Sequence, residues 1–163
     1  MARLPTQQAQ ALADAGATGS VMSVRFTADG KYCLTGGRDR LVRLWNPQTG
    51  LLIKSYKGHG FEVNDAVAST DNSRIASGSA DKHAYVWDVS TGNVLRKFRG
   101  HGAVNAVRFS KESVVVFSAS YDASVSAWDC RSNNSEPIQR LTEAKDSVTS
   151  LQVPTRRRRR RRK

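Results

Sequence analysis

Three tryptophans, Trp45, Trp87 and Trp128, stand 42 and 41 residues apart in this chain. Six residues before each lies an aspartate and ten residues before each a hydroxyl residue: Asp39 and Thr35, Asp81 and Ser77, Asp122 and Ser118. Composition alone does not hold residue types at fixed offsets through successive copies, and a period of about forty residues marks a repeat architecture. The chain is therefore read as an array of one supersecondary unit. Such arrays bury a core only by stacking, and they present extended surfaces suited to binding.

Each copy breaks into short runs of β-prone residues punctuated by Gly, Asp, Asn and Ser, the pattern of strands joined by tight turns. Strands are predicted near 20–26, 31–36, 41–45 and 51–56 in the first copy, and near 62–69, 73–79, 83–88 and 93–98 in the second. The third copy predicts strands near 103–109, 113–119, 124–129 and 137–141, followed by a lone strand near 147–153. No long stretch has helical periodicity. The fold class is all-β.

The polar members of the pattern have a physical role. Gly58-His59 and Gly100-His101 precede the hydroxyl residues Ser77 and Ser118 by 18 and 17 positions, counted from the histidine. Imidazole, hydroxyl, carboxylate and indole N–H each supply a donor or acceptor that the next requires. Two complete chains follow as expectations: His59, Ser77, Asp81 and Trp87, and His101, Ser118, Asp122 and Trp128. Thr35, Asp39 and Trp45 are expected to form only a partial network, because Thr18 stands where a histidine would be needed. Amide exchange is accordingly expected to be faster in residues 31–45 than in 73–87. After the third unit Lys145 occupies the histidine place.

Gly-His at one end of a four-stranded unit and Trp-Asp at the other resemble the WD-repeat β-propeller family over roughly residues 19–153. Trp87-Asp88 and Trp128-Asp129 match directly, and Trp45-Asn46 departs mildly. The resemblance implies three four-stranded blades plus one strand of a fourth. DGKYCLTGGRDRLVRLWNPQTG, GHGFEVNDAVASTDNS, NVLRKFRGH and WDCRSN are similar to a branch of that family known for organising mitogen-activated protein kinase (MAPK) cascades and for association with the spliceosome. By resemblance the chain is a non-enzymatic scaffold for protein complexes, without cofactor. Its implied partners are kinase-cascade or spliceosomal components, with a link to pre-mRNA splicing and residence in cytoplasm and nucleus.

In that fold the residue before the turn aspartate and those after Gly-His project near the narrower rim. Those positions hold Arg38, Ala80 and Tyr121, with Phe61, Glu62 and Asn64, and Ala103 and Asn105. The candidate partner-contact rim is thus Arg38, Phe61, Glu62, Asn64, Asn105 and Tyr121. Arg, Tyr and Phe are enriched among interface hot spots. The alternative places Phe61 in a neighbouring blade and Tyr121 as a turn cap.

Length and charge add two expectations. The sequence divides into a flexible segment at 1–18, blades near 19–57, 58–99 and 100–142, the strand at 147–153 and a disordered Arg-rich tail at 154–163. Propellers close with at least about four blades, so the reading is a truncated array (a fragment, splice form or mistaken gene model) prone to self-association, or a short protein that closes by oligomerising. Of 26 Lys and Arg residues, eight lie in Arg156 to Lys163, leaving 18 against 14 acidic groups. Such a run repels itself and stays extended. It either binds nucleic acid non-specifically or serves as a nuclear address, or it replaces sequence that would have continued the fourth blade.

Other chemistry finds little support. No segment reaches the run of about eighteen apolar residues that a membrane span needs, and residues 1–18 lack a signal peptide's apolar core. Cys33 and Cys130 sit at unrelated places, which argues for a reducing compartment and against a disulfide framework. Dispersed cysteines and histidines offer no zinc pair, and no Lys-Ser/Thr follows the glycines as a phosphate loop requires. Ser, His and Asp in each copy evoke a hydrolase triad, yet a structural duty recurs in every repeat whereas a catalytic one does not.

Overall fold

Within each copy every β-prone run hydrogen-bonds to the next along the chain, so each copy closes into its own antiparallel sheet. The computed structural model describes residues 18–153. The Arg-rich tail and, Thr18 apart, the N-terminal segment lie outside the described residues. The first sheet is β1 (Val21–Phe26), β2 (Cys33–Gly37), β3 (Leu41–Asn46) and β4 (Leu51–Lys57), in that order. The second is β5 (Val63–Ala68), β6 (Arg74–Ser79), β7 (His83–Asp88) and β8 (Val94–Arg99). The third is β9 (Val104–Phe109), β10 (Val115–Ser120), β11 (Val125–Asp129) and β12 (Gln139–Leu141). There is no helix among the described residues.

The sheets stack as blades in an open arc. β5 packs on β1 and β2, and β9 on β5 and β6, so the first strand of every blade lies toward the same side. Two interblade cores result. Leu34, Val42, Leu44 and Tyr56 of the first blade meet Val63, Ile75 and Trp87 of the second. Ala84, Val86 and Phe98 of the second meet Val104, Val107, Val116 and Trp128 of the third. Phe98 stacks on Trp128 with centroids 5.1 Å apart, while Tyr56 meets Trp87 edge-on at 5.9 Å. Gly78 is fixed by this packing, since a Cβ there would stand 2.5 Å from a Val104 methyl.

The repeat extends to the backbone. Gly30, Asn72 and Ser113 have positive φ at equivalent turns, as do Arg40, Lys82 and Ala123 just after the turn aspartates. A bulge recurs at the start of every first strand, leaving Met22, Asn64 and Asn105 as the extra residues. Charge also ties the blades together: the Asp65 carboxylate of β5 accepts from Arg25 Nε of β1 at 2.8 Å and from Arg108 Nη1 of β9 at 2.7 Å.

The expected strand near 147–153 is not formed. That segment is irregular, held by Val148 N–H donating to Ser120 O at 3.1 Å and Asn105 Nδ2 donating to Val148 O at 3.0 Å. A strand requires a ladder partner along its length, and among the described residues nothing pairs with this one. Val148 nevertheless takes the place that Val104 takes on the second blade, where Asn64 Nδ2 donates to Val104 O at 2.9 Å.

Candidate functional site

The networks sit at the end of each blade where the second strand turns into the third. In the second blade the four residues form one relay. Trp87 Nε1–H donates to Ser77 Oγ at 2.8 Å, and Ser77 Oγ lies 2.7 Å from His59 Nε2. His59 Nδ1–H donates to Asp81 Oδ2 at 2.8 Å. This pattern places the proton on Nδ1 and has the serine hydroxyl donate to Nε2. The imidazole stacks on Tyr85 at 4.2 Å between centroids, a contact absent from the sequence reading. Gly58 is required here, because a Cβ would stand 2.9 Å from Trp87 Cη2.

Burial pulls the Asp81 carboxyl upward, but the hydrogen bond from His59 and the N–H groups of Gly60 and His83 outweigh it and hold it well below the carboxylate range. Ser77 is wholly buried between Trp87 and His59. Its hydroxyl therefore offers no nucleophile to a substrate.

The first blade solves the same problem differently. Trp45 Nε1–H donates to Thr35 Oγ1 at 2.9 Å. Asp39 is paired with Arg43 Nη2 at 2.6 Å, and the Arg43 side chain is buried. Arg43 stands two residues before the tryptophan, where the second blade has Tyr85. A lone arginine inside the apolar run of β3, four residues after an aspartate, was the signal that could have found it. Thr18 is exposed.

The third blade departs from expectation. Trp128 Nε1–H donates to Ser118 Oγ at 2.8 Å, but His101 is exposed and forms no hydrogen bond with Asp122 or Ser118. Asp122 instead accepts from Arg140 Nη2 at 2.8 Å and from Ser124 Oγ at 2.5 Å. The cause is spacing. Val63 and Val104 hold the same register, opposite Ser79 and Ser120. His59 precedes its valine by four residues and His101 by three. Gly100, not His101, therefore takes the place of His59, and no aromatic platform waits there, since Ser126 replaces Tyr85. Gly102 lies hard against the turn, where a Cβ would stand 2.9 Å from Asp122 N.

Trp-Asp has a second duty at the opposite end. Asp88 Oδ1 accepts from Thr91 N–H at 2.7 Å and Ser90 Oγ at 2.6 Å, closing the turn into β8. Asn46 does the same with Gln48 N–H at 2.9 Å, so an amide oxygen replaces the carboxylate without loss of the turn.

Of the candidate rim, Arg38, Phe61 and Tyr121 are exposed, the last two at 58% and 71%. Glu62 is half-buried, its carbonyl accepting from Ala80 N–H at 3.0 Å. Asn64 and Asn105 are not free for a partner. They are the bulged residues, and their amides tie each blade to the backbone that follows, as described above. Cys33 and Cys130 are buried free thiols, and burial pushes their ionisation up. Among the described residues no group of three or more His, Cys, Asp or Glu could hold a metal ion, and no helix is long and apolar enough to cross a membrane.

The family model for the WD domain, G-beta repeat, matches residues 10–46, 50–88 and 92–129. The chain belongs to the WD-repeat family. Among curated WD-repeat relatives, WD repeat domain-containing protein 83 of Rattus norvegicus is 52% identical over 151 residues, covering 92% of this chain and 47% of the relative. The Mus musculus protein of the same name is 54% identical over 136 residues, covering 83% and 43%. A WD repeat domain-containing protein 83 homolog of Dictyostelium discoideum is 38% identical over 137 residues, covering 83% and 42%. The chain thus spans about half the length of the curated relatives it matches. WD repeats generally mediate protein–protein interaction and are generally non-enzymatic.

Proposed function

We propose that this chain is a non-enzymatic scaffold that recruits protein partners through the rim presenting Arg38, Phe61 and Tyr121. The observation that carries the reading is the exposure of Arg38 and Tyr121 at repeat-equivalent turns and of Phe61 just after Gly-His, outside the buried networks. Aromatic side chains offer large contact area at low conformational-entropy cost, and a guanidinium adds charge-assisted hydrogen bonds. MAPK-cascade components and spliceosomal proteins are the partner classes, in cytoplasm and nucleus, on the resemblance of the sequence motifs quoted above. The test is a binding titration of the 163-residue chain against purified proteins of both classes. Phe61→Ala with Tyr121→Ala is expected to weaken the productive interaction at least about tenfold, as removal of two hot-spot aromatics does. Unchanged affinity in the double variant removes the rim from the reading.

A second reading rests on the sequence of Arg156 to Lys163, which would bind nucleic acid non-specifically or direct the chain to the nucleus. Deleting residues 154–163 separates the two. Protein contacts persist under the scaffold reading, and nuclear or RNA association vanishes under the tail reading. Self-association also belongs to the proposal. Val21, Val24 and Phe26 of β1 and Leu51 of β4 are each at least 60% exposed, and an apolar surface of this kind marks a contact surface. Sedimentation of the purified chain is expected to show species above monomer, and a monodisperse monomer refutes self-association.

A further inference from the structure

The displaced His101 leaves space behind. A cavity of about 720 Å³ opens between the second and third blades, and Ser118, Ser126 and Trp128 line it. These are the counterparts of Ser77, Tyr85 and Trp87, so the cavity occupies the position that the His59 imidazole fills one blade earlier. Two of its hydroxyls face it without a protein acceptor among the described residues. Ser118 is 4% exposed and accepts from Trp128, but its own proton has no acceptor among the described residues. Ser126 is 7% exposed, and its hydroxyl makes no hydrogen bond among the described residues.

The walls are cationic. Lys82 and Arg99 reach the cavity from the second blade, and His101 and Arg140 from the third, against the single acid Glu136. Lys82 and Arg99 form no ion pair among the described residues, whereas Arg140 is shared with Asp122. Buried hydroxyl donors beneath unpaired cations form a site complementary to an oxyanion. Charge-assisted hydrogen bonds of this kind are the strong ones.

We propose that this interblade cavity binds an oxyanion, carboxylate or phosphate, carried on an acidic segment of a protein partner. Ser118 and Ser126 donate to its oxygens, and Lys82 and Arg99 neutralise its charge. The clause about the carrier rests on the scaffold reading. The site itself does not, so inorganic phosphate tests it without any partner.

The experiment titrates the ¹⁵N-labelled 163-residue chain with inorganic phosphate, a phosphoserine peptide and an Asp/Glu-rich peptide, following the three indole N–H resonances. Trp128 Nε1–H is bonded to Ser118, so its resonance is expected to shift saturably while those of Trp45 and Trp87 stay fixed. Binding to the Arg-rich tail would not move one indole selectively. Lys82→Asn with Arg99→Gln is expected to weaken the response at least about tenfold. Asparagine is chosen at 82 because it tolerates the positive φ there.

A one-residue insertion after Gly102 restores the spacing of the second blade. It is expected to seat His101 and abolish the response in a folded chain. No Trp128 shift, equal shifts of all three indoles, or an unchanged double variant each overturn the site. A response to phosphate with none to either peptide overturns the protein-borne ligand. The peptide that binds more tightly identifies phosphate or carboxylate as the group recognised.

Discussion

The second and third blades contain the same residue types in the same order, yet one closes its polar relay and the other does not. The half that survives in both is the tryptophan–serine bond. It spans adjacent strands whose pairing fixes it, Ile75 opposite Trp87 and Val116 opposite Trp128. The half that fails in the third blade depends on a loop entering from the previous blade, and one residue fewer in that loop removes the imidazole from reach. Bonds written into a ladder tolerate change elsewhere, whereas bonds across a loop depend on its length. Asp122 does not stay unpaired. Arg140 of β12 takes it, much as Arg43 takes Asp39 in the first blade.

The comparison is broken most directly at the histidines. His59→Ala removes a buried, stacked ring and leaves Ser77 and Asp81 without their partner, so it is expected to destabilise by about 2–4 kcal/mol. His101→Ala, at an exposed position, is expected to change stability by less than about 0.5 kcal/mol. Urea unfolding measures both, and equal effects would mean that His101 belongs to the core after all. At the aspartates the contrast narrows. Asp81→Ala is expected to cost about 1–3 kcal/mol, and Asp122→Ala about 1 kcal/mol or less, because its partner Arg140 is partly exposed.

Acid titration sharpens the same contrast with a smaller effect. The Asp81 carboxyl lies below its ordinary value of 3.8 in the folded chain, so its contribution to stability is fully present above about pH 4. It is lost as pH falls through the lower folded value. Stability in Asp81→Asn is therefore expected to fall less steeply than in the unmodified chain below pH 4, and parallel curves would contradict the assignment.

A small gain, not a loss, is expected at Ala123, which has φ 61° where an Asn or Gly is better suited. Ala123→Asn is expected to stabilise the third blade by roughly 0.5–1 kcal/mol, read as a raised urea midpoint. A lowered midpoint would show that Ala123 is held by packing.

The fold was legible because strand, turn and tryptophan recur with a fixed period, and ladder pairing obeys that period. The predicted strands in each copy lie within a few residues of β1 to β12. The relay around His59 was legible for a related reason: its members were named by spacing and the structure brings them together. Spacing from the hydroxyl residue does not place His101, because the register is set by the valine that starts the first strand. Arg43 and Tyr85 escaped notice because they stand between motif positions, and only the geometry shows that they face the network. Asn64 and Asn105 looked like surface groups until the bulges turned their amides toward the next blade.

The Asp65 carboxylate has a consequence for how the array comes apart. In a linear stack each unit touches only its neighbours, and stability is close to a sum of local terms. Asp65 accepts from Arg25 and Arg108 together, which couples the first blade to the third through a single side chain of the second. Losing the third blade would therefore be felt in the first, because Asp65 would lose one of the two guanidinium groups that fix it.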